Sequence, residues 1–223
     1  MKSNLFLNSG VRVMAVLAVL LMLGLVGSYP VMAGTYTIYP EADSYVDSLN
    51  PNSNYGTETQ LYATYYPDYA GSPLSQRAFL KFDLSVIPKG YIITAATLNL
   101  YVTSNGGHPP LGTTNLYHVG DAWTESGITW NNQVPADSYL ASHDYMFYGQ
   151  YYAWNLFDSK QWNYGQDLAK NQISLMLKLA DEGVATEMSG YSLNSRQSAT
   201  SKPYLEVTAV PGSSPSNFLL LNQ

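Results

Sequence analysis

Apolar and polar residues alternate with a period of two over much of this 223-residue chain. Between Arg77 and Asp83, the apolar set Ala78, Leu80 and Phe82 occupies every second position. The same alternation recurs in three further runs: 97–103, 175–179 and 204–208. Because successive side chains of a strand point to opposite faces, this pattern predicts strands with one face on a core and the other toward solvent.

Turn-forming residues separate these runs, at Asn50-Pro51, Tyr55-Gly56, 88–90, 105–107 and Pro109-Pro110. A helical period is present only in the short segment 160–170. Many short strands with few helices predict an all-β fold, namely a single-domain, antiparallel two-sheet β-sandwich of the jelly-roll type. The predicted core-facing residues are Leu80, Phe82, Leu98, Leu100, Leu177, Leu205 and Val207.

The N-terminus has the pattern of a signal peptide. Lys2 and Arg12 precede an apolar run of 14 residues, and Val31 and Ala33 supply small residues before a cleavage site. The run is shorter than the ~20 residues that a spanning helix needs. We therefore expect residues 1–33 to be removed, giving a secreted, extracellular or cell-surface protein that does not associate with the membrane. Residues 34–210 form the predicted domain, and 211–223 have the composition of a flexible tail.

Composition excludes several classes of function. The chain has no cysteine, which rules out disulfides, thiolate metal sites and cysteine nucleophiles. Without the leader, sixteen acidic residues face eight basic ones, so the net charge is −8. Nucleic acid is therefore not an expected partner, because it is bound by clustered Lys and Arg. Twenty tyrosines with only 12% charged residues are typical of glycan-binding or adhesive surfaces, although half-buried strands also use tyrosine.

The segment 121–132 holds two tryptophans, two carboxylates and an Asn pair. Other short motifs occur in a defined order before and after it: 42–46, 54–56, 77–83, 96–101, Ser195-Arg196 and 202–207. This series resembles the DNRLRE-type domains, which are secreted carbohydrate-binding β-sandwiches, over about residues 41–210. Such domains accompany alginate lyases and archaeal enzymes that loosen cell-envelope polysaccharide. The resemblance implies sugar binding without cleavage. Gln197 stands where the family pattern has Glu, which makes metal binding less expected.

The first candidate site is the strand face predicted to be exposed. Phe79 would lie on it between Arg77 and Lys81, and the expected neighbours on other strands are Asn99, Tyr101 and Lys178. An aromatic ring flanked by long hydrogen-bond donors suits a sugar. The resemblance implies that Arg77 and Lys81 match the basic residues with which alginate-binding members hold their ligand. Replacing both by alanine should then abolish binding without changing the melting temperature. The alternative is a salt-bridged strand face.

Given the net charge, an alginate-like ligand is expected to bind weakly and to lose affinity as salt rises.

The second candidate is the aromatic segment 139–154, in which Tyr148 and Tyr152 are the predicted stacking residues. The third is a calcium site built from Asp43, Asp47 and Asn54; the loop does not follow the EF-hand pattern, and turn-forming asparagines are the alternative. No other cofactor is expected.

Asp121 and Glu125 lie between Trp123 and Trp130 and have the composition of a glycosidase site. The resemblance implies instead that this segment plugs one end of the sandwich, so no catalytic residue is predicted. The expected function is that of a secreted, non-catalytic carbohydrate-binding module for extracellular or cell-envelope polysaccharide. The alternative is a structural surface or matrix protein that self-associates through sheet edges or tyrosine-rich surfaces or binds a cell-surface partner. A polysaccharide hydrolase or lyase ranks third.

Overall fold

The computed structural model describes residues 32–104 and 112–212. Within these ranges it has eleven strands, one α-helix and a 3₁₀ turn at Trp130–Asn132. The strands are β1 (Gly34–Ile38), β2 (Ala42–Asp47), β3 (Gln60–Tyr69), β4 (Ser72–Asp83), β5 (Tyr91–Ser104), β6 (Thr114–Val119), β7 (Ala136–His143), β8 (Gln150–Asn155), β9 (Gln172–Leu179), β10 (Ser189–Asn194) and β11 (Tyr204–Pro211), and the helix is α1 (Tyr164–Lys170).

Hydrogen bonds join the strands into one antiparallel sheet in the order β1-β11-β5-β10-β3-β4-β9-β6-β7. The long strand β5 pairs with β8 along one edge and with β11 and then β10 along the other. β4 likewise pairs with β2 on one edge and with β3 and then β9 on the other. The sheet curls, so that β4 and β5 contribute to the same core. The predicted all-β antiparallel fold is confirmed, whereas its division into two jelly-roll sheets stays a prediction.

Local sequence explains two of the turns. The β3–β4 hairpin turns through Ala70 and Gly71, whose φ angles of 53° and 91° are the left-handed values that a tight two-residue turn requires. Asn171 follows helix α1 as its C-terminal cap and is also left-handed, with φ of 56°. Within the described residues, no helix has the length and apolar character needed to cross a membrane. The predicted leader lies almost wholly outside these residues, as do the turns predicted at 105–107 and at Pro109-Pro110 and most of the predicted tail.

The main core consists of the alternate side chains that face inward from both halves of the curled sheet. All seven residues predicted to be core are buried in it: Leu80, Phe82, Leu98, Leu100, Leu177, Leu205 and Val207. The period-two pattern therefore predicted correctly which side chains of β4, β5, β9 and β11 face the core. Trp154 of β8 and Tyr191 of β10 are the largest fully buried side chains.

A second, smaller core lies on the opposite side of β4 and β9. It contains Phe79 of β4 and Met176 of β9, together with Trp123 and Ile128 from the segment between β6 and β7. We call residues 120–135 the tryptophan loop. Because this loop covers the sheet, β4 is buried on both faces over part of its length, which alternation alone does not predict.

We expect Phe82→Ala to lower the free energy of unfolding by about 3–5 kcal/mol, because it leaves a cavity in a fully buried part of the core. Phe147→Ala makes the same chemical change at a ring that is 57% exposed, and should change stability by less than about 0.5 kcal/mol. Urea unfolding of both variants measures the difference. Equal losses of unfolding free energy in the two variants would contradict the assignment of Phe82 to the core-facing side of β4.

Candidate functional site

The tryptophan loop covers the strand face on which a sugar site was predicted. The ring of Phe79 is fully buried and lies 5.9 Å from that of Trp123, in an edge-to-face arrangement. The indole Nε1 of Trp123 donates to Ser174 Oγ of β9 at 3.2 Å. Phe79 presents no surface to solvent, so its predicted exposure is wrong. The physical reason is that a distant segment of the chain packs onto this face.

Lys81 is also buried, and its predicted exposure is wrong for the same reason. Its Nζ donates to the backbone carbonyl oxygens of Asp121 at 3.0 Å and Trp123 at 2.6 Å. The ammonium group also lies 4.6 Å from the centre of the Trp123 ring. Lys81 thus holds the tryptophan loop to β4. All three contacts lie inside the protein, and neither Asp83 nor a cross-strand Glu is its partner.

Arg77 and Lys178 do come together on this face, as predicted, but around an acidic residue. Glu182 accepts from Arg77 Nη2 at 2.6 Å and lies 4.0 Å from Lys178 Nζ. The guanidinium of Arg77 lies 4.6 Å from the centre of the Trp130 ring and donates to Gln133 Oε1. The side chains of Arg77 and Lys178 are 24% and 27% exposed. One carboxylate therefore faces both cations and offsets half of the positive charge that an anionic glycan would need.

Asn99 and Tyr101 lie on the outer side of β5, which does not pair with β4. The prediction that they neighbour Arg77 is therefore wrong, and they belong to a separate surface. There the rings of Tyr101 and Tyr151 have centres 5.2 Å apart, and those of Tyr151 and Tyr204 are 5.5 Å apart, both edge to face. The side-chain amide of Asn99 donates to the carbonyl oxygen of Thr97.

The rings of Tyr151 and Tyr204 border a shallow depression of about 420 Å³. Tyr39, which is 60% exposed, closes its other side, and Lys202 and Glu206 bring one charge of each sign. The hydroxyl of Tyr151 donates to the carbonyl oxygen of Lys202 at 3.1 Å, which fixes the ring. We call Tyr39, Tyr101, Tyr151 and Tyr204 the tyrosine face. It combines open ring surfaces with hydroxyl groups, as sugar recognition requires.

The two stacking residues predicted in the aromatic segment 139–154 have different environments. Tyr148 is 68% exposed, in the β7–β8 loop beside the exposed Tyr145 and Phe147. Tyr152 packs against the main core, and its hydroxyl accepts the backbone N–H of Phe147 at 2.7 Å. Tyr152 is therefore not part of an open platform.

Sequence reasoning did not select Tyr39, Tyr151 or Tyr204 as site residues, although a signal was available for Tyr151. The pair Tyr152 and Trp154 faces inward on β8, so alternation places Tyr151 outward. The two aromatic residues Tyr152 and Trp154, two positions apart in the sequence, could have indicated that the adjacent Tyr151 faces outward.

Two of the three residues proposed for calcium, Asp47 and Asn54, are engaged in other contacts. Asp47 Oδ1 accepts the backbone N–H groups of Leu49 and Asn50, and Asp47 Oδ2 accepts from Gln76. Asn54 donates to the carbonyl oxygens of Glu125 and Ile128. In residues 32–104 and 112–212, no three His, Cys, Asp or Glu side chains form a metal-binding group. These observations favour the turn-forming alternative, and calcium binding stays a prediction.

Asp121 and Glu125 are bound by different cations. Asp121 pairs with Lys170 at 2.6 Å, and Glu125 pairs with Arg196 at 3.0 Å. Gln197 donates to Glu125 Oε1 and to the carbonyl oxygen of Gly56, so the Gln that departs from the family pattern is used structurally. Both carboxylates fasten the tryptophan loop to the rest of the domain, which fits the structural plug that the resemblance implied.

A family model for carbohydrate-binding module family 96 matches residues 34–209, from β1 to β11. The chain belongs to this family. No curated protein matches the chain. The family match supports the interpretation as a carbohydrate-binding module and extends from the first strand to the last, so the tyrosine face and the tryptophan loop are both parts of the family 96 domain.

We expect Lys81→Ala to lower the free energy of unfolding by about 1–3 kcal/mol, because two backbone carbonyls lose their buried donor. Lys89→Ala removes an exposed ammonium group and is the matched control, with no expected change. Thermal and urea unfolding measure both variants. A loss of stability in Lys81→Ala would mean that the Arg77 and Lys81 double variant does not keep its melting temperature, contrary to the expectation from the sequence. An unchanged melting temperature in Lys81→Ala would contradict the role of Lys81 in holding the tryptophan loop to β4.

A second prediction concerns Asp43, which is buried beside Glu125. Burial, with the nearby charge of Glu125, raises the pKa of the Asp43 carboxyl from 3.8 to about 7, although the N–H of Arg196 bonds to it. A carboxyl with a higher pKa in the folded state stabilises the fold fully below the unfolded pKa, and this contribution is lost as pH rises through the folded pKa.

The native protein should therefore lose stability, relative to Asp43→Asn, as pH rises from about 4 to about 7. The side-chain amide of the Asp43→Asn variant keeps an oxygen that can accept the N–H of Arg196 and does not titrate. Urea unfolding of the two proteins across this range measures the difference, and titration of His118 cancels because both contain it. A difference that stays constant with pH would show that Asp43 is ionised throughout.

Proposed function

We propose that this protein is a secreted, non-catalytic binding module for extracellular or cell-envelope polysaccharide and that the tyrosine face is its binding surface. The observation that carries this proposal is the row of Tyr101, Tyr151 and Tyr204, with ring centres 5.2 and 5.5 Å apart, beside an open depression. Membership of a carbohydrate-binding family supports the ligand class.

The chemistry of the face favours a neutral sugar chain. The partly positive C–H groups on one side of a sugar ring are attracted to the negative face of an aromatic ring, and tyrosine hydroxyls exchange hydrogen bonds with sugar hydroxyls. Lys202 and Glu206 give the depression no net charge. A polyuronate chain, in contrast, meets a protein of net charge −8 once the leader is removed. Its basic residues Arg77 and Lys178 already face Glu182.

The remaining parts of the proposal are supported by the sequence and by contacts within the domain. The leader pattern supports secretion, and the DNRLRE-like motifs support a module that binds polysaccharide without cleaving it. A jelly-roll division of the curled sheet is supported by the way β4 and β5, with different neighbours, contribute to one core. The absence of catalysis is supported by the pairing of Asp121 and Glu125 with separate cations.

Self-association is a second candidate function, and the exposed rings of Tyr145, Phe147 and Tyr148 favour it. They lie together in the short β7–β8 loop and are each more than half exposed. Exposed apolar patches of this kind mark sites of contact between protein molecules. Assembly that increases with protein concentration in the absence of sugar would support this function, and light scattering measures it.

We expect Tyr151→Ala combined with Tyr204→Ala to reduce affinity for a neutral polysaccharide at least about thirtyfold, from about 1 kcal/mol for each anchoring ring. The assay is binding of the purified domain to immobilised cellulose, mannan, galactan, chitosan and alginate, with and without calcium. Tyr139→Ala is the control, because Tyr139 packs on Tyr117 beside Lys178 and not on the tyrosine face.

Melting temperatures show that each variant is folded. Equal binding of the double variant and the native protein would overturn the placement of the site, and loss of binding in Tyr139→Ala alone would move it to the Lys178 side. Release of reducing ends by the native protein would contradict the absence of catalysis.

A further inference from the structure

A second concave surface lies on the outer side of β3, between β4 and β10. It has a volume of about 260 Å³, and its aromatic side chains include Tyr62, Tyr66 and Tyr69. Leu61, Ala63 and Tyr65 of the same strand face the main core, so Tyr62 and Tyr66 point outward by alternation. We call this surface the β3 groove. None of the residues predicted to bind sugar lies in it.

The floor of the β3 groove is polar and fixed by internal hydrogen bonds. Thr64 Oγ1 donates to Gln76 Oε1 at 2.6 Å, and Gln76 Nε2 donates to Asp47 Oδ2 at 3.0 Å. The other carboxylate oxygen, Asp47 Oδ1, accepts two backbone N–H groups. A carboxylate has about four acceptor positions, so these three bonds leave room for one more donor, such as a sugar hydroxyl.

The walls of the groove suit a flat ring. Tyr66 and Tyr69 have centres 5.6 Å apart and planes at 79°, so their rings meet edge to face. On the opposite side, Gly190 of β10 has φ of 134°, and a Cβ there would lie 2.4 Å from Thr64 Cα. Glycine thus lets β10 run close to β3. Met188, whose unbranched side chain adapts to different shapes, completes the rim.

The charge of the groove selects against acidic sugars. Among the described residues that line it, Asp47 carries the one formal charge, and neither Lys nor Arg is present. A carboxylated sugar would therefore meet a like charge with no cation to balance it. A hydroxyl-rich, uncharged sugar unit fits both the acceptors of the floor and the rings of the walls.

The groove and the tyrosine face belong to one continuous outer surface. β5 and β3 both pair with β10, so the two strands are two strand spacings apart, about 10 Å across the sheet, and Tyr62 lies level with Ser104. Tyr101 and Tyr66 lie on opposite sides of this level, about 23 Å apart along the strands. Hydrogen bonds bridge the gap: Tyr62 donates to Gln60 Oε1 at 2.9 Å, and Gln60 Nε2 donates to Thr103 Oγ1 at 3.1 Å. Thr103 lies two residues from Tyr101 on the same face of β5.

We propose that the β3 groove is a second subsite, which binds an uncharged sugar unit of the same polysaccharide chain that the tyrosine face holds. This inference rests on the proposed function of the tyrosine face. A short oligosaccharide binds the face alone, whereas a longer chain reaches both subsites. The second contact is then intramolecular, so affinity for long chains exceeds affinity for short ones by on the order of a hundredfold.

Tyr66→Ala combined with Tyr69→Ala tests the proposal, with Tyr139→Ala as the control. The probe is the neutral polysaccharide that binds most strongly among cellulose, mannan and galactan, used as a soluble polymer and as oligosaccharides from disaccharide to octasaccharide. Titration calorimetry should show that the groove variant keeps the native affinity for short oligosaccharides and loses the gain for long ones. Its affinity for alginate should not change.

A groove variant that is folded and keeps the full gain with chain length overturns the proposal. If the double variant does not fold, Tyr69→Ala alone decides, because that ring is 51% exposed. Failure of the proposed function gives a different result: the native protein then binds none of the polysaccharides, or the Tyr151 and Tyr204 double variant keeps the native affinity for short oligosaccharides.

Discussion

The organisation of this domain depends on a buried ammonium group. Lys81 lies on the outer side of β4, and two carbonyl oxygens and an indole ring of the tryptophan loop surround its charge. A charge is buried at acceptable cost only when its donors are satisfied, and the two loop carbonyls meet this condition for Lys81. If the loop left the sheet, these bonds would be lost and the buried rings of Phe79 and Trp123 would be exposed to water. The loop therefore closes one outer face of the sheet, and the surfaces open to a glycan lie elsewhere.

The part of the fold that follows from local periodicity was predictable. Core burial acts on alternate residues of each strand, so Leu80, Phe82, Leu98 and Leu100 were recognised from their spacing alone. The cover over Phe79 was not, because Trp123 is distant in sequence and alternation tells only which side of a sheet a residue faces. The same limit applies to Arg77: its partner Glu182 comes from the β9–β10 segment, and no sequence spacing links the two.

The candidate binding sites were likewise predictable only in part. Tyr101 was chosen for its outward position, and the structure places it beside Tyr151 and Tyr204, two residues that come from strands far apart in the chain. Asp47 and Asn54 were chosen as oxygen ligands, yet backbone N–H groups and loop carbonyls use their side chains. Residue type identifies a group that can bind. The hydrogen bonds it already makes decide whether that capacity is free.

The edge-to-face contacts among Tyr101, Tyr151 and Tyr204, with the bond from Tyr151 to the carbonyl of Lys202, keep these rings in place before any ligand arrives. The protein then loses little conformational entropy on binding, and most of that loss falls on the sugar chain. A flexible polymer loses more freedom on such a surface than a stiff one does. A rigid row of tyrosines therefore discriminates between polysaccharides by the stiffness of the chain as well as by the identity of the sugar.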